Sequence, residues 1–277
     1  MSAGPSLAGA AGAAGGPGAG PSIEEAAGGP WQVVAGPAGT LQRYCAPGPS
    51  RPERRPVVLL CHELPRGTGG AADTGRAYPA LADRLAEESG LMVVAGLLRG
   101  TGGSAGDFSA GGWLEDLAFL ADREVAPDGE VWAVGFGLGG ALALRLALAD
   151  PRVRGVATVA GPADLSGWAA DTAGVLDRCR KSGVISTAGF PADEAAWAAE
   201  LVALAPLEAA SRLGDRPLLV VHGADDGEVP AAAAGALADA ALSPDLVDLR
   251  IVPGAGHWLR ADPRVVATLI GWIERRR

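Results

Sequence analysis

From about Trp31 onward the chain alternates short unbroken apolar runs with longer stretches in which apolar positions recur every three or four residues. Short apolar runs predict strands buried on both faces, and the periodic stretches predict the helices that cover them. "WQVV" and "LQRYCA" read as an opening antiparallel pair, and "PVVLLCH" (56 to 62) as a buried strand. Next come a helix with Tyr78, Leu81 and Leu85 at helical spacing, the strand "LMVVAGLL", and a glycine-rich loop, "RGTGGSAGDFSAGG" (99 to 112). A helix with Trp113, Leu117 and Leu120 on one face precedes the central strand, "EVWAVGF". The helix after it, "ALALRLALAD", is apolar on nearly every side, as expected deep in a doubly covered sheet. "VRGVATVAG", "PLLVVHG" and "VDLRIVPGAG" are further strands, and "PRVVATLIGWIERRR" closes the chain as an amphipathic helix with Val266, Leu269 and Ile273 facing inward. Residues 165 to about 213 have mainly helical composition over an interval too long for a simple crossover, which predicts a helical insertion and candidate lid. The expected architecture is α/β, with a mostly parallel central sheet and helices on both faces.

Composition adds boundaries. The 277 residues are 48% hydrophobic, enough for a sizeable core, and residues 31–277 are expected to form one domain. Residues 1–30 are Gly, Ala and Pro with almost no large apolar side chain, so burial cannot offset an ordering cost of about 1 to 2 kcal/mol per residue. A flexible tail without the charged start and apolar block of a signal peptide is expected there. The longest apolar run, "VWAVGFGLGGALAL" (131 to 144), is too short for a bilayer core of about 30 Å, so no membrane association is expected. Three widely spaced cysteines, Cys45, Cys61 and Cys179, argue against a disulfide framework or a metal site and suit a reduced cytoplasm. A net charge of -9 makes nucleic acid an unfavourable partner. Oligomeric state leaves no mark on the sequence.

Two motifs compete for residues 131 to 144. Gly135-x-Gly137-x-x-Gly140 between strand and helix is the phosphate-cradling turn of a dinucleotide-binding unit. That unit needs the turn on its first strand and an acid about 20 residues on; at least three strands precede this turn, and Asp164 comes late. Gly-x-Ser-x-Gly is instead a nucleophile elbow, here with Gly137 where the serine belongs. An elbow requires an acid and then a histidine at later strand ends. "PLLVVHG" runs into "ADDGEVP", which offers Asp226 ahead of Asp225, and the last strand runs into "GAGH", which offers His257.

On "CHELP", "RGTGGSAGDFS", "GFGLGG", "HGADDGEVP" and "GAGH", the chain from about Pro56 onward resembles α/β-hydrolases of the dienelactone-hydrolase and prolyl-oligopeptidase-like group. The resemblance implies that His257 is the general base, Asp226 its orienting partner, and the backbone N–H groups of Leu138 and Leu64 the oxyanion donors. It also implies a small-molecule substrate or ligand and no cofactor. Two departures stand out: Gly137 at the nucleophile position, and Glu63 in a turn that is usually His-Gly-x-Pro. Glu63 is either a solvated loop side chain or a carboxylate reaching into the space of the missing hydroxymethyl. Ser104, Ser109 and Cys61 are substitute nucleophiles, each with a plainer reading as turn, cap or buried side chain. Arg99 reads as a structural ion-pair residue and His222 as a structural histidine. Glu63, Ser104 and Trp258 are possible pocket residues; Trp168 and Trp197 either line the pocket or pack the insertion on the body. Two functions follow: a hydrolase of ester-, lactone- or peptide-like substrates working through His257 and Asp226 without a serine, or an inactive binding or scaffold protein on the same fold.

Overall fold

A computed structural model describes residues 31–46 and 56–277; the tail expected over residues 1–30 lies outside the described residues. Strands β1 (Trp31–Gly36) and β2 (Gly39–Ala46) form the expected antiparallel hairpin. β2 also pairs antiparallel with β4 (Met92–Leu97), which joins the hairpin to the main sheet. From β4 the neighbours are all parallel: β3 (Val57–Cys61), β5 (Val131–Phe136), β6 (Val153–Val159), β7 (Leu218–Gly223) and β8 (Val247–Val252). The order across the eight described strands is β1-β2-β4-β3-β5-β6-β7-β8.

Alternate strand residues feed two cores, one on each face. Leu59, Ala133 and Val220 pack on the side of helices α2 (Ala110–Glu124) and α3 (Leu138–Ala149). Leu60, Val134 and Val221 pack on the side of α1 (Gly70–Ser89) and α9 (Pro263–Arg276), where Tyr78, Leu81, Leu85, Val266, Leu269 and Ile273 are buried as their spacing predicts. The glycine-rich loop ends earlier than expected, because the Ser109 hydroxyl caps α2 by accepting from Gly112 N at 3.1 Å. The interval after β6 is helical, with α4 (Ser166–Ala170), α5 (Thr172–Ser182), α6 (Glu194–Ala203) and α7 (Pro206–Ser211). α7 packs against α3 and against α8 (Ala232–Ala240), so it belongs to the covering layer, while α6 packs on α2 and α4. Among the described residues no helix is long and apolar enough to cross a membrane.

The register decides what meets at the carboxyl edge. Cys61 on β3 pairs with Gly135 on β5, so the chains leave the sheet level with each other, and Glu63 and Gly137 follow two residues beyond. Gly223 on β7 pairs with Val252 on β8, which levels the loops that carry Asp226 and His257.

Candidate active site

Gly137 links β5 to α3 with φ 50° and ψ −125°, a conformation open to glycine and strained for other residues by about 1 to 3 kcal/mol. Its N–H donates to Val159 O at 2.9 Å, and its carbonyl accepts from Gly140 N at 2.9 Å. The turn is wedged tightly under β3: a Cβ on Gly139 would stand 2.1 Å from Cys61 O, so no side chain fits there. A Cβ on Gly137 would instead meet Glu63 Cβ at 3.0 Å and His257 Nε2 at 3.6 Å.

His257 is buried, and its Nδ1 lies 2.9 Å from Asp226 Oδ2. Because the carboxylate only accepts, the neutral ring carries its proton on Nδ1 and turns the Nε2 lone pair toward Gly137. Asp226 Oδ1 accepts from Glu228 N and Val229 N, both at 2.9 Å. Burial pushes the Asp226 carboxyl up, but those two N–H groups and the His257 ring outweigh it and hold the group below its ordinary value. His222, read from sequence as structural, lies against the same acid: its Nε2 is 3.0 Å from Val229 O and 3.0 Å from Asp226 Oδ2. With an acceptor in reach Nε2 holds the proton and donates to Val229 O, so His222 ties the end of β7 to the loop that carries Asp226. Asp225 is exposed.

Glu63 is buried, which excludes the solvated reading. Its Oε1 accepts from Arg260 Nη1 at 2.6 Å, and its Oε2 lies 3.8 Å from His257 Nε2. Burial pushes the Glu63 carboxyl above its ordinary value, and the Arg260, His257 and Arg66 charges pull it only part of the way back. A second carboxylate, Glu228, is ion-paired with Arg66 and has Oε2 at 3.7 Å from His257 Nε2. The Glu63 N–H is consumed by Tyr78 Oη at 3.0 Å. The N–H of Leu138, by contrast, opens α3, where first-turn donors have no carbonyl behind them in the helix. Leu64, Leu138, Gly137, Glu63 and His257 share a free volume of about 10 Å³, with Trp168 of α4 at its wall. Beside it, sharing Glu63 and Arg66, is a larger cavity of about 250 Å³ that Trp258 and Arg260 also line.

Other sequence candidates sit elsewhere. Ser104 lines neither of these cavities, which corrects its expected place in the pocket: its hydroxyl bridges β2 and β4, accepting from Gln42 N at 2.8 Å and donating to Leu97 O. Cys61 is fully buried, and burial pushes its thiol up to about 12, which removes the thiolate a nucleophile needs. Arg99 grips Asp116 at 2.8 and 3.1 Å. Trp197 packs the insertion, donating to Phe108 O at 2.9 Å. The dinucleotide reading fails on topology, since the turn follows β5 with four strands before it, and not the first strand of its unit. Arg66 and Arg260 carry no motif, and Glu228, although inside "HGADDGEVP", has no role in that motif; only the fold brings the three to His257. Among the described residues no group of His, Cys, Asp or Glu is disposed to hold a metal ion.

The sequence pattern described as alpha/beta hydrolase family matches residues 57–269. Among curated proteins none matches the sequence. Est1E from Butyrivibrio proteoclasticus is similar in structure, with a TM-score of 0.65 at 16% identity over 89% of this chain and 98% of its own. A meta-cleavage product hydrolase from Pseudomonas fluorescens has a TM-score of 0.62 at 17% identity, covering 89% and 98% of the two chains. Mouse alpha/beta hydrolase domain-containing protein 10 has a TM-score of 0.64 at 20% identity, covering 88% and 97%. At such identities the likeness is one of fold.

Proposed function

The chain belongs to the alpha/beta hydrolase family, and from that premise we propose that it hydrolyses small ester-, lactone- or peptide-like substrates with water in place of a serine. Within the family, "CHELP", "GFGLGG", "HGADDGEVP" and "GAGH" support the dienelactone-hydrolase and prolyl-oligopeptidase-like group, with Gly137 substituting for the nucleophile. The observation that carries the reading is the space between Gly137 and His257. His257 Nε2 is 3.6 Å from where a serine Cβ would stand, and the free volume there, about 10 Å³, is what the centre of one water needs.

In this mechanism His257 Nε2 takes a proton from that water while its oxygen attacks the substrate carbonyl. Asp226 stabilises the imidazolium that forms, and the N–H groups of Glu228 and Val229 hold Asp226. The developing oxyanion is received by the N–H groups of Leu138 and Leu64. The imidazolium then returns its proton to the leaving alkoxide or amine, so no acyl-enzyme forms. Within the helical insertion α4 acts as the lid, with Trp168 over the site, and Trp258 lines the approach.

The second reading, a binding protein without turnover, draws on Glu63, because a carboxylate beside oxyanion donors opposes the charge they receive. The test is intact-mass analysis of the protein during exposure to p-nitrophenyl acetate. Steady release of p-nitrophenol with no acylated protein supports water attack. An acetyl adduct on any side chain would sink it, and absence of release supports the binding protein.

A further inference from the structure

Two ion pairs stand beside His257, Glu63 with Arg260 and Glu228 with Arg66, and of these residues Glu63 and Arg66 border both the water-sized space and the 250 Å³ cavity. In each the carboxylate reaches toward His257 Nε2, at 3.8 and 3.7 Å, while the arginine lines the larger cavity, Arg66 bordering the smaller space too. We propose that Arg66 and Arg260 form an anion subsite for a carboxylate carried by the substrate, and that Glu63 and Glu228 occupy those arginines in its absence.

Three features favour a carboxylate. Arginine presents a planar fork of donors that matches a carboxylate's two oxygens, and each of these arginines already holds a carboxylate through Nη1. Glu63 is poorly suited to remain: burial raises its pKa, so exchanging it for a ligand carboxylate replaces a strained internal partner with an external one. Displacing Glu63, which borders both spaces, also opens the cavity toward the reacting water. A bound acid group would therefore bring the scissile carbonyl and open its path in one event.

The rest of the cavity describes the body that bears the acid. Pro65, Ala77 and the rings of Tyr78 and Trp258 supply apolar wall, and Arg260 stacks over Trp258 with its guanidinium carbon 5.2 Å from the ring centroid. At about 250 Å³ the space falls below the roughly 300 Å³ at which drug-sized sites begin, so the ligand is small. A compact organic acid with a planar or apolar body fits this description, its ester or amide bond lying on the side toward His257. Calling it a substrate rests on the hydrolase reading above; its binding does not.

Calorimetric titration with benzoate and its neutral isostere benzamide separates the two. The wild-type protein should bind benzoate at least about tenfold more tightly than benzamide, the ratio set by a charge-assisted contact. Arg260→Met should remove most of that preference. Glu63→Gln, which removes the internal competitor, should tighten benzoate about tenfold. Asp73→Asn is the control: it takes away another cavity carboxylate that pairs with Arg76, and should change benzoate affinity far less than Glu63→Gln. Equal affinity for the two ligands, no binding of either, or equal gains in the Glu63 and Asp73 variants would overturn the proposal. Inorganic phosphate competing as well as benzoate would overturn the apolar-bodied acid as its ligand. If benzoate binds as expected while no ester is turned over, the subsite stands and the hydrolase reading fails.

Discussion

Glu63 and Gly137 exchange volume across a gap that a serine side chain would narrow to 3.0 Å between Cβ atoms. Where the proposed resemblance expects glycine beside a serine, this chain has a buried glutamate beside a glycine, and the two positions form one steric unit. Gly137→Ser alone has to displace Glu63 and bear positive-φ strain of about 1 to 3 kcal/mol. It should react with a fluorophosphonate no faster than the natural protein. The Glu63→Gly, Gly137→Ser double variant has room for the hydroxymethyl 3.6 Å from His257 Nε2 and should be labelled at least about a hundredfold faster than Gly137→Ser alone. Equal labelling of the single and double variants would mean that Glu63 does not obstruct the elbow. Cysteine gives a second check at this scale: Cys61 and Cys179, whose burial lifts both thiols to about 12, should resist iodoacetamide at pH 8 until the protein is unfolded. Peptide mapping that finds Cys61 alkylated in the native protein would reopen it as a nucleophile. Sequence alone located Gly137, Asp226 and His257 because each sits at a fixed offset from a strand end. It left Glu63 ambiguous, since a loop carboxylate looks the same whether it meets water or Arg260.

At the scale of elements, the site is a product of register. The level exits of β3 and β5, and of β7 and β8, were legible only as a succession of apolar runs; the pairing that aligns them is a tertiary fact. α8 was not separated from its surroundings because "AAAAGALADAA" lacks a contrast between faces, and the β2–β4 pairing leaves no local mark. The loops are tied by His62, fully buried, whose Nδ1 donates to Glu63 O at 2.9 Å while Nε2 accepts from Leu98 N at 3.2 Å. Burial lowers its pKa from 6.5 to about 4. A folded pKa below the unfolded value means that the unfolded chain binds the extra proton first. The stabilisation is therefore complete above about pH 6.5 and is lost as pH falls toward 4, on the order of 3 kcal/mol in total. An NMR titration should find this ring neutral down to near pH 4, and urea unfolding should show declining stability through that window. A midpoint near 6.5 for His62 would contradict its role as a neutral tie between the two loops.

For the molecule as a whole, a sheet with a separate core on each face leaves the carboxyl edge to chemistry. The fold was legible almost throughout, because doubly buried strands and amphipathic helices write their periods into the sequence. The charged wall around His257 was not, because Arg66, Glu228 and Arg260 come from separate loops and meet only in space. In the proposed mechanism His257, held by Asp226, is the working base of a hydrolase without a covalent nucleophile. Its most direct test is turnover of a short p-nitrophenyl ester by the natural protein beside His257→Ala, with both shown to be folded. Turnover that falls about 10² to 10⁴-fold in the variant is the predicted result, the size of a positioned base's contribution. Equal rates in the two proteins would contradict the account, because hydrolysis would then owe nothing to His257.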